Sequence, residues 1–181
     1  SSNLNISNDN TFTLLSLAPL TTLTLANGSN QTLDSLIAPG GDCTTSFIIE
    51  STNPANPSAS ITKSGFGSLS GSHLSINNVD AIAPSTYNIS LSDTTNGADG
   101  WTYVGTAYYW VNNGGSWSDA SHWSFSSNGP TAICVPTYPD SVIFDNLSFN
   151  TGGQEVLVDI EAYFAYMDWS SSINNPTLRL D

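Results

Sequence analysis

The chain has 181 residues, enough to bury a core in one domain or two, and only 9% of them are charged. Lys63 and Arg179 stand against 15 carboxylates, a net charge of −13, which argues against nucleic-acid partners and anionic membrane surfaces, whose binding needs clustered cations. No apolar run approaches the ~20 residues of a membrane-spanning helix, and 39% apolar content keeps the 67 Ser, Thr and Asn residues from implying disorder.

From residue 1 to 104 the sequence shows short alternating or apolar runs and almost no helical periodicity. Leu4-Ile6, Phe12-Leu14, Leu23-Leu25, Leu33-Leu36, Phe47-Ile49, Leu74-Ile76 and Ile89-Leu91 are the clearest. Turn formers separate them: Asn27-Gly28, Pro39-Gly40-Gly41, Pro54 to Pro57, Gly65 to Gly71 and Asn96-Gly97. Period-two runs bounded by Gly, Pro, Asn and Asp predict strands, so this half is expected to be all-β.

Two all-β architectures fit. Tandem β-sandwich domains would fold the strands into facing sheets. A parallel β-helix, or solenoid, would wind them into coils that bury a few side chains against the coils above and below. The runs LTLAN (23–27), FIIES (47–51) and LSINN (74–78) share one texture, a short strand with two or three apolar residues and a polar turn. Starts 24 and 27 residues apart match solenoid spacing, and Asn27 and Asn77-Asn78 stand where coils turn, in a residue type that tolerates left-handed backbone. The solenoid is the favoured reading.

Residues 1–105 are accordingly expected to be the terminal coils of one solenoid. Residues 106–181 are expected to be a tryptophan-rich junction and the first strands of another. Residues 96–107, NGADGWTYVGTA, are the expected boundary, where glycines and Trp101 would close the first stack, since an uncapped coil exposes core and strand edges. Strands are then predicted at Tyr108 to Val111, Val142 to Asp145, Val156 to Ile160, Tyr163 to Trp169 and Leu178-Leu180. Ser1-Ser2-Asn3 opens without the basic and apolar segments of a secretion signal, and both ends fall in mid-pattern, so a piece of a longer chain is expected. Few lysines and glutamates beside many Thr and Asn lean towards secretion.

The stretch YYWVNNGGSWSDASHWSFSSNGP, followed by CVPTYPDSVIFDNLSF, GGQEVLVDI, MDW and NNPTL, resembles a module repeated in very large secreted surface proteins of Bacteroidetes-type bacteria. These include gliding-motility adhesins and β-solenoid proteins exported by type IX secretion. The likeness is specific over 108–181 and looser upstream. It implies right-handed parallel β-helix segments in tandem, joined by a Trp-rich cap and displayed outside the cell for attachment. The implied partners are neighbouring repeats of the same chain, surface glycans or other substrata, and the export machinery. Relatives often carry a cysteine just after the tyrosine at Tyr163, but Phe164 stands there in this sequence. That leaves the pairing of Cys134 open, with a bridge to Cys43, 91 positions away, the less favoured outcome.

Right-handed β-helices include polysaccharide lyases and hydrolases, so catalysis has to be weighed. A lyase needs a base and cations near the uronate carboxylate, and two cations far apart in sequence do not provide them. A hydrolase needs two carboxylates facing across a cleft. Asp140 and Asp145, five apart on an expected strand, would point to opposite faces, while Asp159 and Glu161 read as solvated. The chain is read as non-catalytic.

Tyr109, Trp110, Trp117 and Trp123 could stack on sugar rings, as in a carbohydrate-binding module of a polysaccharide-degrading protein. The preferred alternative is a structural cap of Trp101, Trp117, His122, Trp123 and Trp169 that plugs the coil, with His122 sandwiched between Trp117 and Trp123. No metal-ligand spacing or cofactor motif occurs. Acidic turns at Asp80, Asp93 and Asp99 leave calcium conceivable, without a D-x-D-x-D loop or Gly-Asp repeat to support it. In the context of the resemblance, Asp followed by Ser or Thr marks Ser35, Thr94 and Ser141 as O-glycosylation candidates.

Overall fold

The computed structural model describes residues 2–18, 20–38, 45–53 and 58–181. Cys43, Pro39-Gly40-Gly41 and Pro54 to Pro57 lie outside them. The chain divides into two units, Ser1–Val104 and Gly105–Asp181.

The first unit carries β1 (Ser2–Ile6), β2 (Asn10–Ser16), β3 (Thr21–Leu25), β4 (Asn30–Ile37), β5 (Phe47–Ser51), β6 (Ala59–Lys63), β7 (Ser68–Ser72), β8 (Leu74–Asn77), β9 (Val79–Ile82), β10 (Thr86–Ser90), β11 (Asp93–Thr95) and β12 (Thr102–Tyr103). They form three sheets, in the orders β1-β3-β5-β8-β11, β2-β4-β6-β9 and β12-β10-β7. Every pairing in them is parallel. Parallel neighbours cannot be joined by a tight hairpin, so each strand meets a partner some 14 to 30 positions away, as Ile89 meets Tyr103 and Asn30 meets Ser60.

Alternation decides which side chains go inside. Leu4, Leu23, Ile49 and Ile76 stand in register across four strands, and the last three are fully buried. Phe47 over Leu74 and Ala59 over Val79 extend the same core. Polar residues join this interior too, Thr21, Ser29, Gln31, Ser51 and Asn78 among them. Gln31, 1% exposed, donates to the Asn8 carbonyl and Ser29 Oγ and accepts from Asn10, so its amide is satisfied and its burial tolerable.

The turns are held by asparagines. Asn53 donates its backbone N–H to Asn27 Oδ1 at 2.8 Å. Asn78, at φ 54°, donates to Ser51 Oγ and the Asn53 carbonyl. The left-handed residue beside Asn27 is Gly28, at φ 72°. Gly65 to Gly71, expected as a turn, contains most of β7. Leu69 is its only large apolar residue, too little for the alternation to show.

The second unit carries β13 (Ala107–Trp110), β14 (Gly115–Ser116), a 3-10 turn (Ala120–His122), β15 (Trp123–Ser124), β16 (Ser141–Ile143), β17 (Glu155–Val158), β18 (Tyr166–Asp168) and β19 (Thr177–Leu180). Its sheets run β15-β13-β16-β18 and β14-β17-β19. Pairings are again parallel except for β13 with β15, where Trp110 faces Trp123 antiparallel. The expectation that all strands run one way therefore fails at the junction. The short return from Val111 to Trp123, closed by the 3-10 turn, reverses the chain.

The strand expected to hold both Asp140 and Asp145 is shorter than that. Each carboxylate lies just outside β16 and binds backbone amides at a turn.

Candidate functional site

The 108–123 aromatics meet in the second unit. Trp110, Trp117 and Trp123 are 0% exposed, as are Tyr108 and Phe144. Trp123 packs edge-on against Trp110 at 4.9 Å and Trp117 at 4.7 Å between ring centroids. Phe144 bridges this group to Trp169, at 4.1 Å. Offset and edge-on contacts of this kind suit the ring quadrupoles, and each buried indole removes ~150–250 Å² from water. Trp123 Nε1 donates to the Trp117 carbonyl at 2.9 Å, and Trp110 Nε1 donates to the Asn113 carbonyl. The reason these residues cluster is local: β13 and β15 place Trp110 and Trp123 opposite each other, and the turn between them carries Trp117.

This geometry corrects two expectations. The three indoles considered for sugar stacking expose no face, so a ring cannot lie on them; Tyr109 alone of that set is partly exposed. His122 is not sandwiched between Trp117 and Trp123. It stacks on Trp110, and its Nδ1–H donates to the Val111 carbonyl at 3.0 Å. Asp119 is 4.0 Å from His122 Nε2 and spends Oδ1 on the Ser121 amide, opening the 3-10 turn as its cap. That amide holds the Asp119 carboxyl below the usual carboxylate range, and His122 adds a smaller push in the same direction.

The other cap residues are placed apart. Trp101 belongs to the first unit, half-buried, with Nε1 donating to the Val79 carbonyl at 2.8 Å and its ring edge-on to Tyr87 at 5.6 Å. Trp169 packs on Phe144 and Phe149. Ser35, Thr94 and Ser141 lie within β4, β11 and β16 and are all partly buried; the Thr94 and Tyr103 hydroxyls share a hydrogen bond of 2.8 Å.

Two carboxylates do what the sequence did not announce. Asp140, 2% exposed, accepts from the Thr106 amide at 2.8 Å and the Thr137 amide at 2.9 Å. Burial pushes its carboxyl above the usual range, against the pull of those two amides. Burial, and then the Asp140 charge, push the nearby Tyr108 phenol well above its ordinary value. Asp159, expected to be merely solvated, grips Ser118 through both the amide at 3.0 Å and the hydroxyl at 2.7 Å. The only prior signal was the acidic residue itself, because its partner lies 41 positions upstream.

Cys134 is disulfide-bonded, which answers the open question of its pairing. Among the described residues, no group of three His, Cys, Asp or Glu could hold a metal ion. Asp80 accepts from Ser58 and from the Asp99 amide.

A cavity of about 310 Å³ adjoins the cluster, lined by Trp117, Val158, Phe164, Met167, Leu178 and Leu180 among others. Trp117 Nε1–H is buried and has no acceptor among the described residues.

No protein-family model, no curated protein and no solved structure matches the chain. The geometry itself offers a packed aromatic cluster, carboxylate-to-amide bonds at its turns and an apolar cavity lined in part by Trp117.

Proposed function

We propose that the chain is a non-catalytic, structural segment of a large secreted bacterial surface protein, serving as a stiff element for attachment or gliding. In this reading the strands wind as right-handed parallel β-helix coils, and the Trp-rich module caps one stack and begins the next. The observation that carries it is the in-register ladder Leu4, Leu23, Ile49, Ile76, in which each strand repeats the inward position of the one before.

Such stacking resists bending because each coil is hydrogen-bonded along its length to its neighbours. Scarcity of Lys and Arg suits an exposed element that must withstand trypsin-like proteases. The complete burial of the junction indoles supports a plug in preference to a sugar platform.

Negative-stain images of the longer parent protein test the reading. A rod of constant width is expected, and antibody against this segment labels intact, unpermeabilised cells. A compact particle, or label only after permeabilisation, overturns it.

A further inference from the structure

Several asparagines spend their amides on the chain itself. Asn27 and Asn78 hold turns of the first unit, and Asn174 donates to the Phe149 carbonyl at 2.8 Å. A cavity of about 250 Å³ in the second unit gathers asparagines that do otherwise. Asn112, Asn113, Asn128, Asn146 and Asn150 line it, together with Leu147, which is 52% exposed. Asn112 Nδ2 donates to the Ser121 carbonyl at 2.8 Å, and Asn113 Oδ1 accepts from the Asn150 amide at 2.8 Å. The side-chain amides of Asn128, Asn146 and Asn150 have no partner among the described residues.

The walls of this cavity are fixed by the packing around them. Trp110 Nε1, from the aromatic cluster, donates to the Asn113 carbonyl, and the Asn113 amide reaches the Ser148 carbonyl at 3.2 Å. Asp145 Oδ1 holds the Leu147 amide at 2.9 Å. Asn112, Asn113 and Asn128 have left-handed backbone, at φ 65°, 67° and 48°. Glycine takes that conformation at less cost, so an asparagine there adds an amide that the turn alone does not need.

The lining restricts what can sit there. Among the described residues no charged side chain lines the cavity, so an ion entering it would lose hydration without meeting a counter-charge. A side-chain amide offers a donor and an acceptor side by side, which matches vicinal hydroxyl groups, each able to donate and accept. The volume lies below the ~300–1,000 Å³ of sites for drug-sized ligands, which limits the occupant to about one ring.

We propose that this pocket binds one neutral pyranose residue of a glycan. Vicinal hydroxyls bridge the free amides of Asn128, Asn146 and Asn150, and the C–H face of the ring rests on Leu147. The sugar is held by amides and not by the junction indoles, whose faces are buried. Uncharged contacts make the binding insensitive to salt, and their small number makes it weak, with Kd on the order of 1 mM. The proposal goes beyond the structural reading and does not rest on it: a rod can lack the pocket, and the pocket can work in a chain that forms no rod.

Titration of the isotope-labelled full chain, followed by NMR, tests this directly. The probes are N-acetylglucosamine and the methyl glycosides of glucose, galactose and mannose; sorbitol, calcium chloride and sodium sulfate are the comparisons. At least one sugar is expected to shift the side-chain amide resonances of Asn128, Asn146 and Asn150 to saturation, with the same midpoint in low and high NaCl. Asn128→Gly, which suits the left-handed backbone, and Asn146→Ala each weaken that binding about ten-fold or more. Leu147→Ala weakens it as well. All three sites are exposed, and circular dichroism checks that the fold is kept. Asn96→Ala, in the first unit, binds like wild type. No saturable shift with any of the sugars overturns the proposal, as do pocket variants that bind like wild type. Sorbitol acting as strongly as the sugars overturns it too, because a ring is then not what the pocket recognises. Shifts caused by calcium or sulfate in place of sugar overturn it and make the pocket an ion site.

Discussion

His122 lies flat on Trp110, with ring centroids 4.8 Å apart and 8° between the planes, and Gly115 leaves the space its far edge needs. A methyl group built on Gly115 would stand 2.1 Å from His122 Nε2. The stack, the Nδ1 bond to Val111 and the bare backbone of β14 thus form one unit.

Replacing Gly115 by Ala forces the imidazole off Trp110 and destabilises by ~1–3 kcal/mol. His122→Ala costs ~2 kcal/mol through the lost stack and hydrogen bond. In the double variant the costs do not add: with the ring gone, the new methyl group meets nothing, and about 1 kcal/mol or more returns. Urea unfolding of the four proteins measures the coupling. Strict additivity would separate the two residues.

Asp140 binds its proton more tightly folded than unfolded, because burial raises its carboxyl. Between the ordinary 3.8 and the raised value, the folded state holds more protons, so this group's contribution to stability falls as pH rises. In Asp140→Asn that slope disappears. The amide has one oxygen for two backbone donors, so one of Thr106 and Thr137 is orphaned at ~1–3 kcal/mol. Thermal unfolding across pH 3–7 reads both effects, the loss at neutral pH and the flattened slope.

Asp159 has the opposite sign. The Ser118 hydroxyl, and then its amide, lower this exposed carboxyl, so its support is complete above 3.8 and lost as pH falls through the lowered value. Ser118→Ala removes the hydroxyl, and the difference in Tm between pH 7 and pH 3 narrows. An unchanged difference would show that the Ser118 clamp does not hold the loop in solution.

Cys134 is not available to alkylating reagents in the oxidised protein. Peptide mapping after iodoacetamide under denaturing, non-reducing conditions finds it unmodified, and prior reduction makes it reactive. Labelling without reduction would contradict the bonded state.

The central strands were legible because their burial is local. Leu23 and Leu25, Phe47 and Ile49, and Leu74 and Ile76 alternate with polar residues, and all six are fully buried. Their spacing was nearly legible as well: FIIES and LSINN sit 27 apart in register, as counted, while Leu23 pairs with Ile49 rather than Phe47. What stayed hidden depends on distant partners. A Ser- and Gly-rich strand such as β7 gains its place from distant β10, with which it pairs, and the antiparallel return of β15 goes with the packing of Trp117 on Trp123. At the junction, the sequence named the aromatic residues but not their neighbours. Nothing in SHW says that the imidazole prefers Trp110, twelve positions upstream and across the Asn112-Asn113 turn, to the indole beside it.

The asparagine bonds between turns bear on chemical lifetime. Hydrolysis of the Asn78 side chain to a carboxylate would turn two donated hydrogen bonds, to Ser51 and the Asn53 carbonyl, into facing acceptors in a site only 5% exposed. The residue that follows is Val79, whose branched side chain hinders the ring closure through which asparagine deamidates. Asn96 and Asn27, each followed by a glycine, have no such shield and hydrolyse sooner, although Asn27 accepts from the Asn53 amide and Asn96 donates to Asn77. Ageing starts at the Asn-Gly turns, and the shielded bonds of Asn78 outlast them.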